Sequence, residues 1–197
     1  IGIPAKSLHE LDVFAKQISS YPLDSFSIYG DLGDLSPFVA LQSIAATLTE
    51  SNIKQVGIMG VPVGLYHPEV TVSSAEALYE SFGQKLYIGL VRGAFMGSIG
   101  LRPGNLNDVS QTIDRLRFEL GEEFPIFIGG YGEKILSLVM NKRVNAVKIG
   151  GSANLNLASM VKQQLGSEIK LVMGSVSVID RNRREARKIA RLEVAKY

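Results

Sequence analysis

The sequence predicts an α/β fold in which short buried strands and helices alternate along the whole chain. The 197 residues are 46% hydrophobic and 20% charged, which is enough apolar material for one good core and too little for two large domains. Seven short apolar runs lack strict alternation, which is typical of parallel strands covered on both faces. Helical patterns with start and stop signals separate these runs. We therefore expect residues 1–197 to form a single domain.

The predicted strands are short apolar runs, several of them bounded by glycine or proline. They cover residues 1–3, 25–30, 54–63, 85–91, 125–130, 145–151 and 169–179. Pro62 lies inside the third run. Because proline donates no hydrogen bond to a neighbouring strand, it predicts a bulge or an irregular strand end there.

The predicted helices fill the intervals between the strands. They cover residues 7–19, 36–51, 73–82, 107–120, 132–142, 155–165 and 181–197. Ser36-Pro37 places a capping hydroxyl before a proline at the first helical position. Asn107-Asp108 and Asp180 are further expected start signals, and Gly83 and Gly121 are expected stops.

Seven strand–helix units leave two architectures open, an open doubly wound sheet and a (β/α)8 barrel. Seven strands exceed the about five or six of a common open sheet. They are one fewer than a barrel needs, and barrels start near about 200 residues. The prediction is therefore a TIM-barrel-like fold short of its last strand–helix unit, whose first and seventh strands need cover at their edges.

Composition excludes several classes of site and partner. The chain has no cysteine, so disulfides, zinc thiolates and thiol nucleophiles are excluded. No apolar run reaches the roughly 18 residues of a membrane span, and the first residues do not resemble a signal peptide. We expect a cytoplasmic protein that binds no membrane.

The basic end of the chain raises the question of a nucleic-acid partner. Residues 181–197 hold seven Lys/Arg and two Asp/Glu, whereas the net charge of the whole chain is +2. No aromatic residues lie among these arginines, and apolar residues recur at Ala186, Ile189, Ala190 and Leu192. This spacing is typical of an amphipathic helix with a charged outer face. We therefore expect no nucleic-acid partner.

Glycine turns after the fifth and sixth strands are candidates for an anion site. In either architecture ligands bind beyond the carboxyl ends of the strands. Gly129, Gly130 and Gly132 follow the fifth strand, and Gly150 and Gly151 follow the sixth. Glycines allow close backbone approach, and the next helix offers free N–H groups to a phosphate. Tight turns alone would also explain them, so both interpretations stay open.

A positive side chain and a histidine follow two other strands. Arg92 ends the fourth apolar run and is a third anion candidate, although a surface salt bridge is the common alternative. His67 follows the third strand and is expected to line the substrate site, whereas His9 is expected to be solvated in the first helix. No Ser/His/Asp signature and no metal-ligand spacing is present, so no metal is predicted and the catalytic residues are unassigned. Such a site suits chemistry that a cofactor supplies.

Several segments together resemble the bacterial luciferase-like family, which includes flavin monooxygenases and deazaflavin-dependent reductases. The segments are "SPFVALQSIAATLTESNIKQVGIMGVPVGLYHPEV", "KLYIGLVRGAF", "PIFIGGYGEKILSLVMNKRVNAVKIGG" and "SVSVIDRNRREARKIARLEVAKY". The Val-Ala-x-Tyr ending of the last segment is the most telling. Within the family, the chain is most similar to methylenetetrahydromethanopterin reductases.

The resemblance implies a (β/α)8 barrel that binds a flavin-type cofactor at the carboxyl ends of its strands. It implies the deazaflavin coenzyme F-420, with FMN as the alternative. Gly60, Val61 and Pro62 would lie behind the tricyclic ring, and Asp31 would lie near the ring or the substrate. The cofactor phosphate would be held near Arg92 by the two glycine turns, Gly129, Gly130, Tyr131 and Gly132 in the first, and Gly150, Gly151 and Ser152 in the second.

The resemblance also implies an activity, hydride transfer to a small or pterin-like substrate by a homo-oligomer. The sequence departs from the family in reading "YGDL" after the second strand, in lacking a proline in the turn at 131–134, and in ending at Tyr197. An FMN-dependent monooxygenase, a non-catalytic flavin-binding relative and a sugar-phosphate barrel enzyme therefore stay open.

Overall fold

The structure is a computed structural model that describes residues 2–30, 34–149, 154–174, 178 and 180–194. The chain divides into two compact units, Ile1–Gly129 and Gly130–Tyr197. The expectation of a single domain over residues 1–197 stays a prediction.

The first unit is a parallel sheet with helices between its strands. Its strands are β1 (Gly2–Pro4), β2 (Ser25–Tyr29), β3 (Gln55–Pro62), β4 (Leu86–Val91) and β5 (Ile126–Gly129), and each pairs in parallel with the next. Its helices are α1 (Leu8–Ile18), α2 (Pro37–Ser43), α3 (Ala45–Thr49), α4 (Pro68–Phe82) and α5 (Leu106–Leu120), and Gly83–Lys85 and Ala94–Ile99 form 3₁₀ turns.

The two faces of this sheet differ in chemistry. The ring of Phe14 in α1 lies 6.4 Å from that of Phe26 in β2, which identifies the face that the helices cover. That helix face holds buried apolar side chains, namely Phe26, Ile28, Val56, Ile58, Leu86, Ile88, Leu90, Ile126 and Ile128. The opposite face, here called the inner face, carries serines, glycines and a few large side chains. Its upper end, at the carboxyl ends of the strands, is where a ligand is expected.

The second unit repeats the same design on a smaller scale. Strand β6 (Ala146–Ile149) pairs in parallel with β7 (Lys170–Met173), and the helices are α6 (Glu133–Asn141), α7 (Leu155–Leu165) and α8 (Arg183–Val194). Leu171 borders a surface cavity together with Ala158 and Lys162 of α7. The helix face of this pair is therefore the one that carries Leu171, and residues at the alternate positions lie on its inner face.

The predicted fold class is confirmed, because strands and helices alternate throughout and all seven predicted strands form. Among the described residues there are seven strands, one fewer than in a complete (β/α)8 barrel. The seventh strand is shorter than predicted and ends at Met173. Of its predicted continuation, residues 175–177 and 179 lie outside the described residues. None of the described helices is long and apolar enough to cross a membrane.

Helix starts account for most of the differences from the prediction. The predicted helix 36–51 is interrupted at Ile44, and α4 begins at Pro68 rather than at residue 73. Asn105 rather than Asn107-Asp108 caps α5, since its side chain accepts from the backbone N–H groups of residues 107 and 108. Asn182 rather than Asp180 caps α8 in the same way. The cap of α5 thus lies before the predicted signal, and the cap of α8 lies after it.

Candidate functional site

The inner face of the first unit is built from glycines that make room for large neighbours. A Cβ atom added to Gly57 would lie 2.7 Å from Cγ of Tyr87, and one added to Gly129 would lie 2.6 Å from Cγ1 of Val91. A Cβ on Gly89 would collide with Sδ of Met59. Any larger residue at these positions would displace its neighbour. Three side chains from β3 and β4 therefore fill the inner face from its amino end to its carboxyl end.

A hydroxyl network between buried Tyr87 and two half-buried serines closes the amino end of the inner face. The Tyr87 ring stacks on Phe127 with 4.3 Å between ring centroids. Its hydroxyl accepts a hydrogen bond from the Ser25 hydroxyl at 3.3 Å and makes a short one with the Ser27 hydroxyl. Burial raises the pKa of Tyr87. The network is therefore uncharged. Its role is structural, and it lies beneath the expected ligand position.

A β-bulge at Gly60 shapes the carboxyl end of the same face. Met59 pairs with Gly89, but Val61 then pairs with Leu90 and Pro62 with Val91, so Gly60 is the extra residue. Gly60 has φ +102°, and among the described residues a Cβ added there would have only the Gly30 nitrogen within 4.0 Å. The irregularity predicted from Pro62 is thus confirmed. No side chain of the described residues lies within that distance of the added atom.

Of the three residues that the resemblance assigned to the cofactor ring, the bulge puts Val61 and Pro62 on opposite faces of the sheet. Because it shifts the register by one residue, Val61 shares a face with Leu90 and is fully buried on the helix side. Pro62 instead lies beside Val91 on the inner face. Of the three, Gly60 is half-buried and Val61 and Pro62 are buried. A ligand above this edge can contact the Gly60 backbone and cannot contact the Val61 side chain.

Arg92 closes the loop that follows β4. Its Nε donates to the carbonyl oxygen of Gly104 at 2.7 Å, and the backbone N–H of Gly104 donates to the carbonyl oxygen of Arg92 at 2.7 Å. Inside this loop Met96 is only 1% exposed and fills the space against Gly93 and Gly64. The arginine therefore has a structural role through Nε. The rest of its exposed guanidinium is the part that can bind an anion.

His67 is exposed and caps a helix. Its Nδ1 accepts a hydrogen bond from the backbone N–H of Glu69 at 3.3 Å, so this nitrogen carries no proton when the cap forms. Only Nε2 is then available to a substrate. Arg115 of α5 holds Glu69 in a two-bond ion pair and lowers the pKa of that carboxyl group. The loop after β3 is thereby fixed at the start of α4.

The glycine turn of the second unit leads directly into α6. Gly130 has φ +140°, and its N–H donates to the carbonyl oxygen of Lys148 at 3.1 Å. Gly132 caps α6 without a side-chain hydrogen bond, and Tyr131 is 49% exposed. Gly129 belongs to the first unit, where it ends β5. Asp31, Gly150, Gly151 and Ser152 lie outside the described residues, so their assigned roles stay predictions.

One residue on the inner face of each unit was not singled out from the sequence. Met59 is 4% exposed and fills the middle of the first unit's inner face, and Lys148 lies on the inner face of the second. A lysine inside the apolar run "NAVKIGG" was the available signal for the second. Methionine in a buried strand gives no such signal, because it is an ordinary core residue.

The described residues offer little acid–base chemistry of their own. They include no group of three or more His, Cys, Asp or Glu that could hold a metal ion. The first unit supplies glycine backbone at a bulge and an exposed arginine. The second unit supplies a glycine turn at a helix start. Backbone and one cation can hold and orient a group that brings its own chemistry, and they supply little chemistry themselves.

Comparison with solved structures identifies proteins of the same fold. The coenzyme F-420-dependent tetrahydromethanopterin reductase from Methanopyrus kandleri is 14% identical, with a TM-score of 0.76 over 100% of this chain and 71% of that one. A monooxygenase from Streptomyces bottropensis is 13% identical, with a TM-score of 0.66 over 99% and 77%. No protein-family model matches the chain, and no curated protein matches it.

A third neighbour was solved with a cofactor. The oxygenating constituent of 3,6-diketocamphane monooxygenase from Pseudomonas putida, in complex with FMN, is 14% identical, with a TM-score of 0.59 over 94% of this chain and 67% of that one. At such identities the likeness concerns the fold alone. The neighbours are the kinds of protein to which the sequence resemblance pointed, and the resemblance is confirmed at the level of the fold.

Proposed function

We propose that this protein is an oxidoreductase that transfers a hydride between the deazaflavin coenzyme F-420 and a small or pterin-like substrate. The observation that carries the proposal is the bulge at Gly60, which places glycine backbone, with no described side chain against it, at the carboxyl end of the inner face. The resemblance to the luciferase-like family implies such an irregularity behind the cofactor ring. The fold likeness to an F-420-dependent reductase supports the same cofactor class.

The residues of the chain would bind and orient the cofactor. The Gly60 backbone and the half-buried side chain of Val91 offer an apolar contact surface, and a residue larger than glycine at position 60 would be strained. The exposed guanidinium of Arg92, in the same unit, is a candidate for its anionic groups. The turn at Gly130–Gly132 is a candidate on the resemblance alone. His67 can offer Nε2 to a substrate. The bound cofactor would supply the hydride chemistry, and holding the two reactants face to face would account for most of the acceleration.

FMN is the second candidate cofactor, with a monooxygenase reaction in place of hydride transfer. It is favoured by one observation, the FMN complex of a monooxygenase with the same fold. A binding protein without catalysis would use the same contact surface. The resemblance implies a homo-oligomer, and the absence of cysteine fits a cytoplasmic enzyme.

Isotope transfer tests the activity directly. Reduced coenzyme F-420 carrying deuterium at the transferable position is incubated with the protein and a panel of pterin-like and small carbonyl or imine acceptors. Mass spectrometry then follows deuterium in the product. Deuterium in one product supports the proposal. Oxygen-dependent turnover with reduced FMN alone would reject hydride transfer in favour of a monooxygenase reaction. Cofactor binding without transfer to any acceptor would indicate a non-catalytic binding protein.

A further inference from the structure

Helix α8 carries a row of exposed cations along one face. Successive members lie three or four residues apart, or next to one another, so their side chains are neighbours on the helix surface. Within the described part of the chain, the one ion pair of this row joins Lys188 to Glu185 at 4.0 Å, and the guanidinium groups make no hydrogen bond or ion pair. The row, here called the basic face, consists of Arg183, Arg184, Arg187, Lys188 and Arg191.

The basic face is unfavourable for the helix that carries it. Three pairs of its cations lie four residues apart, and like charges at that spacing destabilise a helix. Arg183 and Arg184 also lie in the first turn, at the positive end of the helix dipole. A negatively charged neighbour would offset both effects.

The first unit carries a matching set of exposed carboxylates. Two lie one turn apart on α4, and two lie between α5 and β5. The rings of Tyr79 and Phe124 lie 6.1 Å apart, so Glu80 and Glu123, which adjoin them in the chain, belong to adjoining segments. Within the described residues these carboxyl groups make no hydrogen bond or ion pair. The set, here called the acidic face, consists of Glu76, Glu80, Glu122 and Glu123.

The arginine of α5 that contacts α4 does not neutralise the acidic face. Its guanidinium group is held by Glu69 at 2.8 Å and by Glu119 at 3.0 Å. Arg115 is therefore already paired with two other carboxylates. The acidic face keeps its negative charge in the single chain.

Each face has one large exposed apolar side chain beside it. Leu192 is 60% exposed and lines the same surface groove as the cations of α8. Phe118 is 76% exposed and lies three residues before Gly121, which ends α5 and leads to Glu122. Protein interfaces combine apolar anchors with a polar rim. The two faces therefore match in charge, and each also offers an apolar contact.

The basic face lacks the features that other anionic partners need. No aromatic residue lies among its cations, although aromatic stacking supplies much of the affinity for single-stranded nucleic acids. A helix in a membrane surface needs large apolar residues opposite its cations, whereas the described side chains opposite the basic face are Ala186, Ile189 and Ala190. Carboxylates need neither feature, and guanidinium groups bind them through paired hydrogen bonds.

We propose that the chain self-associates by docking the basic face of α8 against the acidic face of a second copy. Because every chain carries both faces, the contact is either reciprocal in a closed pair or repeated in a ring or filament. It involves no residue assigned to the cofactor. The proposal therefore stands or falls independently of the proposed function.

Charge reversal of each face tests the contact. The α8 variant carries Arg184→Glu, Arg187→Glu and Arg191→Glu, and the acidic-face variant carries Glu76→Lys, Glu80→Lys and Glu123→Lys. A control variant makes the same change in net charge as the α8 variant at exposed positions outside both faces, by Lys6→Glu, Arg102→Glu and Lys134→Glu. Circular dichroism and thermal unfolding show that each variant folds. Sedimentation velocity over a range of concentrations measures self-association.

We expect the wild type and the control variant to self-associate alike, and more weakly at high salt. Each face variant alone should associate at least about 100-fold more weakly, because its reversed face now repels the face it met. An equimolar mixture of the two face variants should associate again, since every face then has a complementary partner. A monomeric wild type, self-association that neither face variant weakens, or a mixture that stays monomeric would overturn the proposal.

Two further probes separate a second copy from other anionic partners. Fluorescence anisotropy follows a labelled uridine homopolymer, and flotation follows vesicles that contain phosphatidylserine. We expect neither probe to bind the wild type more tightly than it binds the α8 variant. Tighter binding of either probe by a monomeric wild type would assign the basic face to that probe and reject the second copy.

Discussion

Tyr87 shows how a single residue can close one end of a site. Its ring occupies the space above Gly57 and its hydroxyl reaches two serines of β2 across β3. The sequence placed Tyr87 in a buried strand and gave no indication of this reach, because the partners are about sixty residues away along the chain.

Tyr87→Phe should lower the free energy of unfolding by about 1 kcal/mol, since it removes the hydroxyl that hydrogen-bonds to Ser25 and Ser27. The pKa of Tyr87 is raised by burial. Its contribution to stability is therefore present below the unfolded pKa, near about 10, and is lost as the pH rises above it, because the unfolded state ionises first. Urea unfolding on both sides of about pH 10 measures it. An equally steep alkaline loss in the variant would contradict this assignment of the buried hydroxyl.

Gly60 tests the bulge on which the proposed function depends. Alanine at φ +102° is strained, so Gly60→Ala should cost about 1–3 kcal/mol of unfolding free energy. Gly97→Ala is the control, since a Cβ there meets nothing within 4 Å and its backbone is not in the left-handed region; it should change stability by less than about 0.5 kcal/mol. Equal stability of the two variants, measured by urea unfolding, would show that the bulge relaxes at no cost.

At the scale of one element, the loop after β4 is closed by a reciprocal pair of hydrogen bonds. Arg92 and Gly104 each donate to the other, and Met96 is buried within the loop. The sequence indicated an anion site from the same arginine. It could not indicate the loop closure, because the partner of the guanidinium is a backbone carbonyl and any residue carries one.

Arg92→Ala should loosen this loop without unfolding the sheet. Loss of one hydrogen bond, worth about 1 kcal/mol, should speed amide exchange in residues 93–104 about fivefold. Arg102→Ala is the control within the same loop, and we expect it to leave the exchange unchanged. Hydrogen exchange followed by mass spectrometry measures both variants. Identical exchange in the two would show that the Arg92 side chain does not hold the loop.

Strands were predicted more securely than helix ends, for a physical reason. A strand buried on both faces has a continuous apolar sequence, so all seven strands could be located. A helix start depends on which nearby side chain reaches a free N–H group. His67 before Pro68 was read only as a site residue, although its ring caps α4. The start of α4 was therefore placed five residues too late.

At the scale of the whole molecule, alternation of strands and helices was enough to predict the fold class. It was not enough to predict which inner-face residues matter, because the inner face is assembled from residues two apart on strands far apart in sequence. Gly57, Gly89 and Gly129 were visible as glycines, but their role of admitting Tyr87, Met59 and Val91 exists only across strands. The bulge was predictable because proline inside a strand signals it locally.

The most direct test of the central claim is a titration of the purified wild-type chain with coenzyme F-420. The fluorescence of the cofactor reports binding, and a parallel titration uses FMN. The account predicts saturable binding of coenzyme F-420 at one site per chain, tighter than that of FMN, and weaker binding in Gly60→Ala than in Gly97→Ala. Binding of neither cofactor by a chain that unfolds cooperatively would contradict it, because the bulge at Gly60 would then hold no flavin-type ring.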